Sequence, residues 1–184
     1  TLCFNMILGI DEIHKLIDEE RLLENLSERE LKNPEGAGID LRLGKLFRLE
    51  GRGFLGVEER ETPRGVLVAE YSPAKKVSHI LKPGEYYLTE TIERFNMPNN
   101  LLAIVKPRIT LHRSGIVVRA SIVDPGYSGF IGPAIYNAGP VEFEIELGAR
   151  FVKAMFYEIK GSTNLYRGQW QGGRIYTDGR ETQV

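Results

Sequence analysis

The chain has 184 residues, 42% of them hydrophobic, so its length and composition fit one domain of ordinary size with a sizeable core. Its net charge is −1, which argues against a sequence-independent binder of nucleic acid polymers but leaves room for a few cations around a single nucleotide. The single cysteine, Cys3, excludes an intrachain disulfide and a cysteine-based metal site, and a cytoplasmic location is expected. No stretch approaches the roughly 20 apolar residues of a membrane helix, so no membrane partner is expected. Thr1 to Asn5 lack the basic region of a secretion signal, and Met6 is read as the natural start.

Ile10, Ile13, Leu16 and Ile17 fall at helical spacing with charged residues opposite, which predicts a first helix with His14 on its surface. Ser27 and Glu30 have capping-box spacing and predict a second, short helix ended by Asn33-Pro34-Glu35-Gly36. From Gly38 onward, short apolar or alternating runs recur between turn signals. Predicted strands cover Leu41–Leu49, Gly65–Ala69, Val77–Leu81, Glu85–Thr91, Leu101–Lys106 and Ile116–Arg119. Phe130–Tyr136, Val141–Glu146 and Phe151–Glu158 complete them. Val141 to Leu147 alternates strictly, the period of a half-buried strand. Pro63–Lys76 is rich in turn residues and is read as a mobile insert. The pattern predicts an all-β, mainly antiparallel domain over residues 1–184: a helical segment 1–35, a β core 36–160 and a C-terminal arm 161–184. The arm carries Tyr166, Trp170 and Tyr176, aromatics that a free tail has little use for, so it is expected to dock.

Three segments have chemical potential. Ala120 to Gly129 reads as a hairpin turned by Asp124-Pro125-Gly126, where Asp124 is either a plain turn residue or a carboxylate displayed for chemistry. Lys106 to Gly115 holds Arg108, Thr110 and Arg113, either a solvated basic loop or a set of phosphate contacts. Gly36 to Leu43 brings Asp40 into a strand behind small residues. The three histidines show no ligand spacing, and neither a zinc-deaminase motif nor a phosphate loop of the Gly-x-x-x-x-Gly-Lys type occurs.

In this order, Gly38–Gly44, Arg108–Gly115, Val123–Gly129, Leu147–Phe156 and Tyr166–Gly173 resemble the five motifs of the superfamily of dUTP diphosphatases and dCTP deaminases. The resemblance spans nearly the whole chain. It implies a distorted jelly-roll (β-clip) barrel, a homotrimer with shared active sites, and a deoxyuridine nucleotide, dUTP, as substrate. The Asp-Leu-Arg-Leu-Gly element and the helical N-terminus look more like the deaminase branch.

The resemblance also implies roles. Asp124 would deprotonate the water that attacks the α-phosphate, with Mg2+ held mainly by the triphosphate and by no direct protein ligand. Tyr127 would pack under the deoxyribose. Ser121, Ile122 and Val123 would read uracil through backbone groups. Arg108, Thr110, Arg113 and Lys153 would meet the phosphates, with Asp40 in support. Tyr166, Arg167, Gln169, Trp170 and Gln171 of the arm would close over the nucleotide, with Trp170 either stacking on the base or docking on a neighbouring subunit. The deaminase branch uses a serine and a glutamate where this chain has Ile109 and Ala134, neither of which can move a proton. Hydrolysis of dUTP is therefore expected first. The alternatives are a mono- or bifunctional dCTP deaminase and a catalytically silent nucleotide-binding relative. The last is kept open by Ile109 and by Lys153, which stands where the family commonly has glutamine.

Overall fold

A computed structural model describes residues 7–183; Cys3 and the Met6 start lie outside them. The first helix, Ile10–Glu20, carries Asp11 and Glu12 in its first turn, where carboxylates oppose the helix dipole, and buries Ile13. His14 is not on a free surface: it is half-buried, and its ring nitrogen lies 2.8 Å from the Glu30 carbonyl oxygen. The second helix, Glu28–Lys32, is capped as its spacing predicts, with Ser27 Oγ accepting from the Glu30 N–H at 3.4 Å. The Glu30 carboxylate does not return to the cap. It accepts instead from the Asp40 N–H at 3.0 Å.

The rest is antiparallel β, which bears out the all-β class. One eight-stranded sheet runs in the order Ile116–Arg119, Ala134–Asn137, Tyr86–Thr91, Ile39–Glu50, Arg150–Glu158, Leu101–Pro107 and Ile122–Val123, with Arg64–Glu70 also paired to Ile39–Glu50. The long strand Ile39–Glu50 joins its halves: residues 39–42 pair with Arg150–Glu158, residues 43–50 with Tyr86–Thr91 and Arg64–Glu70. Register breaks near Leu43 and Leu46 let it bend, as bulges do. Small sheets flank it. Leu23–Glu24, Arg94–Asn96 and Ser128–Phe130 form one, Ser78–Leu81 with Phe143–Glu146 a second, and Phe54–Leu55, Glu59–Glu61 and Glu181–Thr182 a third. Phe95, Phe151, Phe156, Ile39, Leu41 and Leu43 are fully buried between these layers.

Two expectations are corrected. Pro63–Lys76 is largely not an insert: Arg64–Glu70 is a ladder strand, because Val66 and Ala69 find partners in Arg48 and Leu46 that a local reading cannot see. The run Phe130–Tyr136 is two strands, Ser128–Phe130 and Ala134–Asn137, which pair in different sheets. Gly132-Pro133 separates them, and proline has no N–H to continue a ladder.

Candidate active site

The hairpin of Asp124 is built by a type II turn. Tyr127 N–H donates to the Asp124 carbonyl at 3.1 Å, with Pro125 and Gly126 between them. Gly126 has φ +76°, which that turn requires at its third position and which glycine adopts without strain. Gly126 and Tyr127 exchange backbone hydrogen bonds with Met97 at 3.1 and 2.8 Å, fixing the turn against the core. Tyr127 is buried, its hydroxyl donates to the Phe130 carbonyl, and burial pushes its pKa up to about 12. It therefore stays a neutral donor at physiological pH.

Asp124 is half-buried on the wall of a cleft of about 450 Å³. Ser121, Ile122, Val123 and Tyr127 share that wall. Ile122–Val123 is the last strand of its sheet, paired only with Ile104 and Ala103, so the backbone groups on its other edge are outside the ladder. Apolar side chains that no local pattern marks also line the cleft: Leu49, Leu88, Phe130, Ile131 and Pro133. They come from three separate stretches of chain, and no motif marks them.

The arm closes this cleft on its own chain. Tyr166 N–H donates to the Pro125 carbonyl at 2.8 Å, and its ring meets Tyr127 edge-on, centroids 5.4 Å apart. Gln171 grips both ends of the turn: its Nε2 donates to the Gly126 carbonyl, and its Oε1 accepts from Ser128 N–H, each at 3.1 Å. Gly129 runs beside Gly172, where a Cβ on Gly129 would meet arm backbone at 2.5 Å. Trp170 lines the cleft beneath Arg60, whose guanidinium sits 4.8 Å from the indole centroid. Gln169 and Arg167 depart from expectation. The Gln169 amide turns away to the Thr182 carbonyl at 2.7 Å, because the tail strand Glu181–Thr182 offers a nearer acceptor, and Arg167 is exposed and outside the cleft lining.

The predicted phosphate contacts lie elsewhere in the chain. Arg108 donates to Asp40 Oδ2, and Lys153 Nζ is 3.5 Å from Asp40 Oδ1. Thr110 and Arg113 are exposed on the short helix Ile109–Arg113, with Ile109 beside them. Val123 pairs with Ala103, whereas Arg108 follows Pro107 at the other end of that strand. Five residues at about 3.3 Å each put roughly 16 Å between those positions. One chain thus holds the hairpin and arm together, and the basic loop, Asp40 and Lys153 in a second group. Arg150, within the Leu147–Phe156 motif, and Glu30, expected only as a helix cap, also belong to that second group.

The model of dCTP deaminase-like proteins matches residues 7–159. The chain is 32% identical to the dCTP deaminase of Pyrococcus furiosus over 85% of its length and 88% of that protein's. It is 32% identical to the dUMP-forming dCTP deaminase of Dictyoglomus turgidum, covering 84% of this chain and 81% of that one. A probable deoxyuridine 5'-triphosphate nucleotidohydrolase of Methanothermobacter thermautotrophicus is also 32% identical, over 83% of this chain and 97% of that one. The crystal structure of the 2'-deoxycytidine 5'-triphosphate deaminase of Agrobacterium tumefaciens superposes with a TM-score of 0.66 at 19% identity, a likeness of fold. It covers 84% of this chain, which spans about half (48%) of the Agrobacterium chain. The match over residues 7–159, in a fold with the five motifs in order, makes this chain a member of the dCTP deaminase-like family, within the superfamily that also holds the dUTPases.

Proposed function

We propose that the chain hydrolyses dUTP to dUMP and pyrophosphate. Asp124 carries the proposal: it is the only carboxylate among the residues lining the cleft. Deamination needs an acid and base at the pyrimidine ring, and Ala134, at the position where the deaminase branch has its glutamate, is buried and carries no proton. In the proposed reaction Asp124 accepts a proton from water. The water oxygen forms a bond to the α-phosphorus, and the bond from that phosphorus to the bridging oxygen breaks. Pyrophosphate leaves with the electron pair. Tyr127 lies under the sugar. The free edge of Ile122–Val123 supplies backbone donors and acceptors for uracil.

The phosphates would be met by Arg108, Arg113 and Lys153 of another copy, since one chain keeps them apart from Asp124. An exposed row across three strands supports such an assembly: Val117 pairs with Tyr136 and Tyr136 with Tyr86, each about two-fifths exposed at 42%, 38% and 40%. We assign these copies to a homotrimer. In this reading Mg2+ would be held mainly by the triphosphate's own oxygens. Magnesium bound there would neutralise the leaving pyrophosphate. Among the described residues no helix is long and apolar enough to cross a membrane.

The names of the Pyrococcus and Dictyoglomus relatives favour a second reading, deamination of dCTP with or without release of dUMP. Incubation with dUTP and with dCTP, each with magnesium, separates the two when pyrophosphate and ammonia are measured independently. Pyrophosphate from dUTP without ammonia from dCTP is the expected outcome. Ammonia from dCTP would replace the first reading with the second, and nucleotide binding without either product would mark a silent relative.

A further inference from the structure

The face that carries Arg108 rests on two buried carboxylates. Glu30 and Asp40 are 1% and 2% exposed. Each would cost several kcal/mol to bury unpaired, so their surroundings must hold them. Four cations do so. Nη1 of Arg108 and, at 2.9 Å, Nη1 of Arg150 donate to Asp40 Oδ2. Lys153 Nζ is 3.5 Å from Asp40 Oδ1, an oxygen with no hydrogen-bond partner. Arg29 pairs with Glu30 and reaches within 4.0 Å of Asp40, while Arg150 lies 3.8 Å from Glu30. The Asp40 backbone N–H donates to Glu30 Oε2 at 3.0 Å, which ties the Glu30 carboxylate to the main chain at Asp40.

Against these four positive groups stand the two buried carboxylates and the exposed Glu35, 3.6 Å from Arg29, which leaves a surplus of one positive charge. All four side chains keep between 27% and 38% of their surface exposed. Arg108 and Arg150 bond Asp40 through Nη1, and their side chains stay 28% and 30% exposed. A surplus of oriented guanidinium forks on a rigid base suits a polyanion.

We propose that Glu30 is a positioning residue for polyphosphate. It fixes Asp40 and Arg29 from below and, through Asp40, sets Arg108 and Arg150 in one layer with Lys153. This adds Glu30, Arg29 and Arg150 to the site, and it deepens the reading that this face takes the substrate's phosphates.

Inorganic tripolyphosphate is the probe, titrated calorimetrically into the full chain at low salt. The wild type binds it. Glu30→Gln, which keeps the shape but not the charge, binds roughly tenfold more weakly, the scale of one charge-assisted contact. Glu30→Asp recovers most of that loss, which a purely structural role of the longer side chain would not allow. Thermal unfolding reports whether each variant is folded. If Glu30→Gln does not fold, Arg29→Gln, which leaves both buried carboxylates in place, takes over with a similar loss expected. Equal affinity of the folded variant and the wild type overturns the proposal, as does a wild type that ignores tripolyphosphate. A chain that turns over neither dUTP nor dCTP yet shows the Glu30-dependent affinity would sink the hydrolase reading and leave this one standing.

Discussion

The guanidinium of Arg60 stacks 4.8 Å from the ring centroid of Trp170, joining the hairpin Phe54–Glu61 to the arm that covers the Asp124 cleft. The same hairpin pairs with the tail strand Glu181–Thr182, and Thr62 and Thr177 exchange two bonds of 2.9 Å between backbone N–H and side-chain hydroxyl. The arm is therefore held at its indole and beyond it. Trp170 is the only tryptophan, so its fluorescence reports the arm alone. Arg60→Ala removes a contact of about 0.5–2 kcal/mol. The emission of Trp170 should shift to longer wavelength and become more accessible to acrylamide, while far-ultraviolet circular dichroism stays the same. An unchanged spectrum would mean that Arg60 does not hold the arm.

Asp124→Asn tests the base. The amide preserves the turn, whose hydrogen bond uses the backbone carbonyl of residue 124, but cannot accept the water proton. Pyrophosphate release from dUTP should fall by roughly 10²–10⁴-fold, the contribution of a positioned base, with dUTP affinity within a few-fold of wild type. Undiminished turnover would remove Asp124 from the chemistry.

Gly129→Ala should release the arm without unfolding the barrel. A Cβ there meets Gly172 and Gly173 backbone at 2.5–2.7 Å, a distance that real Cβ atoms do not reach. The arm must move away, and its bond from Gly172 N–H to the Ser128 carbonyl is lost. Hydrogen exchange should accelerate over residues 166–173 and stay slow in the strand Arg150–Glu158. Slow exchange throughout would show that the arm tolerates the methyl group.

Tyr127 links stability to alkaline pH. Its folded pKa is raised to about 12 from the ordinary 10, so between those values the folded chain binds more protons than the unfolded one. Stability is then fully present below pH 10 and falls as pH rises towards 12, by an amount on the order of 2–3 kcal/mol for this group. Tyr127→Phe should flatten that part of the stability–pH curve in urea titrations. It should also lower stability near neutrality by about 1–3 kcal/mol, because the Phe130 carbonyl loses its donor. A wild-type curve with no alkaline decline in this window would contradict the burial of the hydroxyl.

Much of this was local and therefore legible in the sequence. Alternation over residues 141–147, the Asp-Pro-Gly turn and the Ser27 cap depend on neighbours within a few positions; the structure realises the turn and the cap, and the strand over Phe143–Glu146, two residues later than its expected start at Val141. The order of the motifs placed the chain in its family. The partnerships of those elements were settled only by tertiary contacts. Arg64–Glu70 became a strand because Ile39–Glu50 offered an edge, and His14 found the Glu30 carbonyl 16 residues away. Glu30 fits a capping box by spacing, yet its carboxylate turns inward to Asp40, where the low-dielectric core rewards pairing with cations more than the cap does. Arg60 and Trp170 are 110 positions apart by number, and nothing in the local pattern of either announces the other. Side-chain type and periodicity determine which segments can form strands and turns. Which strand meets which, and which charges share a buried site, depends on burial and on long-range register, and these exist only once the chain has folded.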